Sequence, residues 1–214
     1  VARRNAFTIA MLQSLRGEVE SRLADPACRV LVLRGEGGFF SAGGDINDLA
    51  TRRPTSWYDG FGKTVHRVFH RFEACDKPTL AAVNGWALGG GMELMLCTDL
   101  RLLAAEARIG LPEIRLGLFP GGGGSQRLMR QIPLCQAKKL MFTGEQLDAA
   151  QALALGLVNE VHPRAALMPR ALALAAQVAS MSPQTLKLLK HAMLQGAEMP
   201  LEQALAYERA MLAV

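Results

Sequence analysis

The stretch from Thr79 to Asp99 constrains the chain more than any other. An apolar run of β type, Thr79 to Val83, leads into Asn84-Gly85-Trp86-Ala87-Leu88-Gly89-Gly90-Gly91, and an apolar run of helical composition follows from Met92. Strand, glycine turn and helix are spelled in that order. The first N–H groups of a helix have no intrahelical partner and sit at the positive end of its dipole, so a turn of this kind can hold an oxyanion. Glu93 stands among Met92, Leu94, Met95 and Leu96, where an unpaired carboxylate is costly to bury. In a helix that starts at the glycines, Glu93 follows Gly90 by three residues, about one turn of ~5.4 Å on the same face. Amide donor and carboxylate then converge on one small volume. Two blander readings stand beside this one: a carboxylate neutralised by a neighbouring arginine, or one that caps its own helix.

The rest of the chain repeats the theme. Thr8 can cap a helix whose apolar face carries Met11, Leu12, Leu15, Val19 and Leu23, ended by Asp25-Pro26. Val30 to Leu33 reads as a buried strand, Gly35 to Gly38 breaks it, and Phe40-Ser41-Ala42-Gly43-Gly44-Asp45-Ile46 forms a second strand and glycine turn. Arg52 to Ser56 reads as a surface loop and Phe61 to Phe72 as a helix. Leu100 to Ala104 and Arg108 to Leu111 are candidate strands, and Pro112-Glu113 has the composition of a helix start. Pro120 and four glycines, Gly121 to Gly124, open a helix near Ser125. Beyond Leu134 the pattern is helical, over Leu134 to Met141, Asp148 to Leu155, Ala165 to Ala179, Pro183 to Gln195 and Pro200 to Leu212. Leu157 to Val161 is the one strand expected there. Alternation followed by a helical tail predicts an α/β fold, with residues 1–145 as core and 146–214 as a helical C-terminal region.

Several function classes fall away. In 214 residues, 50% of them apolar, no run of eighteen apolar residues occurs, and no signal peptide is legible at the start, where the chain opens at Val1 without a methionine. Cys28, Cys75, Cys97 and Cys135 form no C-x-x-C pair, which argues against a zinc site or a disulfide framework and fits a reducing, cytoplasmic compartment. His66, His70, His162 and His191 show no metal spacing, so no metal is expected. Gly35-Glu36-Gly37-Gly38-Phe39-Phe40 has Phe40 where a dinucleotide fingerprint needs its last glycine, no P-loop is present, and neither Ser41 nor Ser125 sits in G-x-S-x-G. The formal charge of +5 is compatible with a polyanionic ligand, either nucleic acid or the phosphates of a cofactor such as coenzyme A.

Taken together, the motifs resemble those of the enoyl-CoA hydratase/isomerase (crotonase) family. The matching pieces are Arg4-Asn5-Ala6-Phe7, Phe40 to Ile46, Lys77-Pro78 through Asp99, Leu111-Pro112-Glu113 through Leu128, and Thr143-Gly144 with Gly156-Leu157-Val158. They cover nearly the whole length in the family's order. The resemblance implies a crotonase-like spiral of repeated ββα units, a homotrimer or dimer of trimers, and an acyl-CoA thioester substrate, with coenzyme A present as part of that substrate and no permanently bound cofactor. By position, Gly44 and Gly90 match the two amides of the family's oxyanion hole. Glu93 and Glu113 match its two hydratase carboxylates, and Gly121 a glycine whose amide helps place the reacting water. Ala42, Gly44, Asp45, Ile46 and Asn47 resemble the segment that holds CoA, although many relatives have lysine where Asn47 stands; Gly90 is also expected to touch the thioester. The C-terminal region is expected to serve oligomerisation and closure of the acyl-CoA site. Hydration of a trans-2-enoyl-CoA, as in fatty-acid β-oxidation, is the activity implied.

Glu113 taken alone reads more readily as a helix-start residue favoured by the dipole than as a catalytic group. Two carboxylates can also shuttle a proton between C2 and C4, so an isomerase is the alternative within the family. Lys63, Arg67 and Arg71 recur every four residues and could track phosphates, because the family includes RNA-binding members, yet aromatic interleaving is sparse and a solvated basic face accounts for them better. A catalytically silent scaffold is a further alternative, set against the intact glutamate pair. Trp57, Phe61, Phe119 and Phe142 are candidates for an acyl-tail pocket and equally for core.

Overall fold

A computed structural model describes residues 3–50 and 54–212. Its strands come in pairs that divide between two sheets. The first pair is β1 (Leu31–Arg34) and β2 (Phe39–Ser41), the second β3 (Thr79–Val83) and β4 (Trp86–Leu88), and the third β5 (Leu100–Ala104) and β6 (Arg108–Gly110). Within each pair the first strand joins one sheet and the second joins the other. With β7 (Gln146–Asp148) and β8 (Glu160–His162), the sheet orders are β1-β3-β5-β8 and β2-β4-β6-β7. Successive pairs align in parallel, with Leu80 opposite Leu100 and Ala87 opposite Ile109, so each ββα unit lies on the one before it as a turn of a spiral.

Helices complete the units. α1 (Ile9–Ala24) precedes the first, α2 (Ile46–Ala50) and α3 (Thr55–Glu73) follow it, and α4 (Gly90–Leu96) follows the second. The third leads through a 3-10 turn at Pro112–Leu116 into α5 (Gly124–Gln131) and α6 (Leu134–Thr143). The chain then runs through α7 (Ala149–Ala154), α8 (Arg164–Ala179), α9 (Pro183–Gly196) and α10 (Leu201–Leu212). Local chemistry sets several ends: the Thr8 side chain accepts from the Met11 amide, and Asp148 and Gln151 form a reciprocal capping box.

β3 is buried at all five positions, as a central strand in a parallel sheet must be. α4 is buried on all sides. Met92, Met95 and Leu96 pack with β3 and β5, while Leu94 and Cys97 join the cluster formed by α1 and α3. A helix apolar all round belongs in an interior, and its one carboxylate, Glu93, is 4% exposed.

Several expectations shift in detail. The glycine-rich stretch holds an additional strand, β4, between β3 and α4. Thr55 and Ser56 begin α3 instead of lying in a loop, and Arg52 and Arg53 lie outside the described residues. Met11 is 37% exposed, so α1 buries a narrower face through Leu12 and Val19. The strand expected at Leu157 to Val161 pairs over Glu160–His162, and β7 was not expected at all. Both sheets therefore take their last strand from beyond residue 145. Among the described residues no helix is long and apolar enough to cross a membrane.

Candidate active site

Two glycine turns meet at the head of α4. The first is tied down by the N-terminal segment: Asn5 and Arg4 adopt φ of 55° and 53°, and Asn5 Nδ2 donates to the carbonyls of Glu36, Phe39 and Phe40. Ser41 Oγ donates to Asn5 O at 2.8 Å and accepts from the Gly43 amide at 3.1 Å. Phe7 then bridges Gly44 in parallel, its N–H donating to Gly43 O at 2.7 Å and its carbonyl accepting from Asp45 N at 3.1 Å. In that pattern the flanking groups serve Phe7, so the N–H of Gly44 points the other way. At the second turn Gly89 has φ of +52° and donates to Gly110 O, and Gly90 is the first residue of α4, where an N–H has no acceptor in its own helix.

The turns touch backbone to backbone. A Cβ placed on Gly43, whose φ is +86°, would sit 2.7 Å from Leu88 O and 2.8 Å from Gly90 N. One placed on Gly90 would lie 3.4 Å from Gly43 Cα and 3.2 Å from the Phe7 ring. Glycine is required here by proximity as well as by conformation. Of the remaining CoA-segment candidates, Asp45 is buried, accepting from Asn47 N and pairing with Arg3 at 3.3 Å, whereas Ile46 is exposed at the start of α2.

Glu93 projects from the first turn of α4 toward the loop before α5. Its Oε1 accepts from the amides of Gly122 and Gly124, both at 2.8 Å. Glu93 does not cap its own helix, since its hydrogen-bond partners are main-chain donors some thirty residues downstream, and the expected neighbouring arginine is present only as the charge of Arg127. Burial pushes the Glu93 pKa up, opposed by the amides of Gly124 and Gly122 and by the positive charge of Arg127. Gly121 is exposed on the same loop, one residue before the amides that reach Glu93.

Glu113 sits in the first turn of the 3-10 segment, as its Pro112-Glu113 sequence predicts. Its Oε1 lies against Gly89, 3.0 Å from where a Cβ would stand, and its Oε2 is buried without a hydrogen-bond partner among the described residues. Burial raises its pKa to about 7, against a bond from its own amide and with a contribution from the charge of Glu93. A carboxyl so placed can hold a proton near neutrality and release it.

Sequence reading missed the support behind Glu93. Arg127 and Glu73 were not singled out, and Gly122 and Gly124 were noted only as part of a turn. The four-glycine run was the available signal; no local pattern links Glu73 at the end of α3 to Arg127 in α5. Of the aromatic candidates, Trp57 and Phe61 stack at 5.4 Å, whereas Phe119 and Phe142 are more than 70% exposed, so the four do not form one pocket. Lys63 pairs with Asp59 and Arg71 with Glu20, so the basic comb on α3 is largely compensated. A cavity of about 240 Å³ lies between Phe7, Met11, Leu33 and Leu94, and another of about 350 Å³ beside His66, Glu73, Arg127 and Arg130; neither is walled by Glu93 or Glu113.

Comparison with known proteins bears on the family and the fold. The family model described as enoyl-CoA hydratase/isomerase matches residues 2–214. The chain is 40% identical over 208 residues to a 2,3-dehydroadipyl-CoA hydratase of Escherichia coli, covering 97% of this chain and 80% of the relative. It is 38% identical over 207 residues to a short-chain-enoyl-CoA hydratase of Clostridium acetobutylicum, covering 95% and 77%. Its fold superposes on the crystal structure of an enoyl-CoA hydratase from Bacillus anthracis with a TM-score of 0.95 at 33% identity, covering 99% of this chain and 82% of that one. A single-family match over the whole length, carried by a crotonase-type spiral, places the chain in the enoyl-CoA hydratase/isomerase family.

Proposed function

We propose that the protein adds water across the double bond of a trans-2-enoyl-CoA, with Glu93 and Glu113 dividing the proton transfers. As water attacks C3, negative charge moves onto the thioester oxygen as an enolate. The amides of Gly44 and Gly90 donate to that oxygen and stabilise it more in the transition state than in the substrate. Glu93 takes the proton of the attacking water, with Gly121 helping to place that water, and Glu113 gives a proton to C2. The sum is addition of one water, and the pair returns to its starting state when a proton passes from Glu93 to Glu113. The charge of Glu93 contributes to the raised pKa of Glu113, so a change at one carboxyl also moves the titration of the other.

The observation that carries this reading is the contrast between the carboxyls. Glu93 accepts two amide N–H bonds, which favour its charged form, while Glu113 keeps a buried oxygen with no donor among the described residues and a pKa of about 7. Burial raises both pKa values, and the two amide donors that oppose the rise at Glu93 are the difference on which base and acid are assigned. The names of the hydratase relatives support the same reaction. Ala42, Gly44, Asp45, Ile46, Asn47 and Gly90 are assigned to CoA and thioester contacts, with no permanent cofactor. The C-terminal helices are assigned to a homotrimer or dimer of trimers and to closing the acyl-CoA site, with a role in fatty-acid breakdown.

Incubation with trans-2-butenoyl-CoA and with a 3-enoyl-CoA separates hydration from double-bond migration. Hydration predicts 3-hydroxyacyl-CoA from the 2-enoyl substrate. A shifted alkene as the only product assigns the same carboxylates to isomerisation between C2 and C4 instead.

A further inference from the structure

The loop that holds Glu93 is itself held from behind. Glu93 receives its two hydrogen bonds from the 121–122 and 123–124 peptide units, and the intervening unit presents its oxygen, Gly122 O, to Arg127 Nη1 at 3.2 Å. The Gly123 carbonyl accepts from the amides of Gln126 and Arg127 at 3.1 and 2.9 Å, so α5 fixes one side of the loop and the guanidinium the other. The approach is close: a Cβ on Gly123, which has φ of +104°, would fall 2.0 Å from Arg127 Nη1.

Arg127 is also clamped. Its Nε and Nη2 donate to Glu73 Oε1 and Oε2 at 2.9 and 2.8 Å, a bidentate fork that fixes the guanidinium plane in a way a lysine ammonium does not. Both side chains are mostly buried, at 15% and 28% exposure. Burial disfavours the charged form of Glu73, but the bonds and charges of Arg127 and His70 outweigh it and hold the carboxyl below its ordinary value. Among the described residues Arg127 does not hydrogen-bond to the Glu93 carboxylate, so it acts through the loop and through its charge.

We propose that Arg127 is a positioning residue for hydration: clamped by Glu73, it fixes the glycine loop whose amides orient Glu93 and keeps a positive charge behind that carboxylate. The proposal rests on Glu93 being the base. The groups acting on Glu93 are the Gly122 and Gly124 amides, Arg127 in α5 and Glu113 in the 3-10 turn; those acting on Arg127 are Glu73 in α3, Glu93 and Cys97. Removing Arg127 takes positive charge away from Glu93, and removing the charge of Glu73 exposes more of it. The two changes therefore push the Glu93 titration in opposite directions.

The test is the pH profile of kcat/KM for hydration of trans-2-butenoyl-CoA by the whole protein and its variants. Arg127→Gln is expected to lower kcat roughly 10- to 100-fold, as a misplaced catalytic group does, with KM changed less than about threefold. Its acidic limb moves to higher pH. Arg127→Lys returns the limb toward wild type while recovering only part of kcat, because charge is restored without the fork. Glu73→Gln moves the limb to lower pH, and this variant decides the matter if Arg127→Gln does not fold. Limbs that stay in place, or that move in the same direction in Arg127→Gln and Glu73→Gln, overturn the proposal, since a purely structural arginine changes the melting temperature and not the titration. Glu93→Gln distinguishes the underlying reading: near-normal turnover removes Glu93 as base, whereas a dead Glu93→Gln with unmoved limbs removes only the role of Arg127.

Discussion

Glu93 and Glu113 differ in what surrounds the same functional group. Glu93 is buried against two N–H donors, and Glu113 is buried with one oxygen unserved. The consequence for pH has a definite sign. The folded-state pKa of Glu113, about 7, lies above its ordinary 4.5, so the folded protein holds this proton more tightly than the unfolded chain does. Its contribution to stability is complete below pH 4.5 and lost as pH rises through 7, a change on the order of 2 to 3 kcal/mol for a shift of this size in a partly buried group. Urea unfolding at pH 5 and pH 8 should show that decline in the wild type and a flatter profile in Glu113→Gln. As the proton donor, Glu113 must also lose activity on ionising. kcat/KM is expected to fall above about pH 7, and a flat profile from pH 6 to 9 would contradict the donor role.

At the scale of elements, the site depends on two backbone turns in contact, and a methyl group at Gly43 tests that dependence. Gly43→Ala must relieve close contacts with Leu88 O and Gly90 N at a positive φ, moving the Gly44 and Gly90 amides relative to one another. The expected cost is about 10²- to 10³-fold in kcat, the usual loss when one oxyanion donor is misplaced. Steady-state kinetics on the folded variant checks it; activity within threefold of wild type contradicts the assignment. These turns were legible because a glycine run between a β-type strand and an apolar helix is a strong local signal. β3 and β5 were legible to the residue for a related reason, since Pro78 and Asn84 bracket the first and Asp99 precedes the second, a mostly apolar stretch. β4 and β7, three residues each, were not legible: they lie in sheets because β2 and β6 lie beside them, and no periodicity develops over three positions. The support of Glu93 was hidden likewise, because Glu73, Arg127 and the loop meet only once α3, α4 and α5 are packed.

Across the whole molecule, a largely buried ion pair ties the spiral to α9, beside the apolar packing of α8 and the pairs of Lys187 and His191 with Asp76. Lys190, on α9, donates to Asp99 Oδ2 at 2.8 Å and to the carbonyls of Phe72 and Lys77, and Asp99 in turn accepts from Thr79 N and Oγ1 at the start of β3. Lys190→Ala leaves Asp99 without its cation and is expected to cost about 3 kcal/mol, with proteolysis entering first between α8 and α10. Unchanged urea stability in that variant would show that α9 is held by its other contacts, among them the pairs of Lys187 and His191 with Asp76. The sequence reading recovered the α/β spiral and the helical tail, but not this fastening, which joins residues 91 positions apart.

Hydration by this site requires both carboxyls to serve one reaction. The most direct measurement is turnover of trans-2-butenoyl-CoA to 3-hydroxybutyryl-CoA by wild type, Glu93→Gln and Glu113→Gln, each checked for retained folding and ligand binding. The account predicts that the wild type forms the hydroxy product and that each single variant loses at least about 10³-fold in kcat while still binding the thioester, because removing either the base or the acid leaves the other unable to complete the addition. Near-normal hydration by either variant would contradict it.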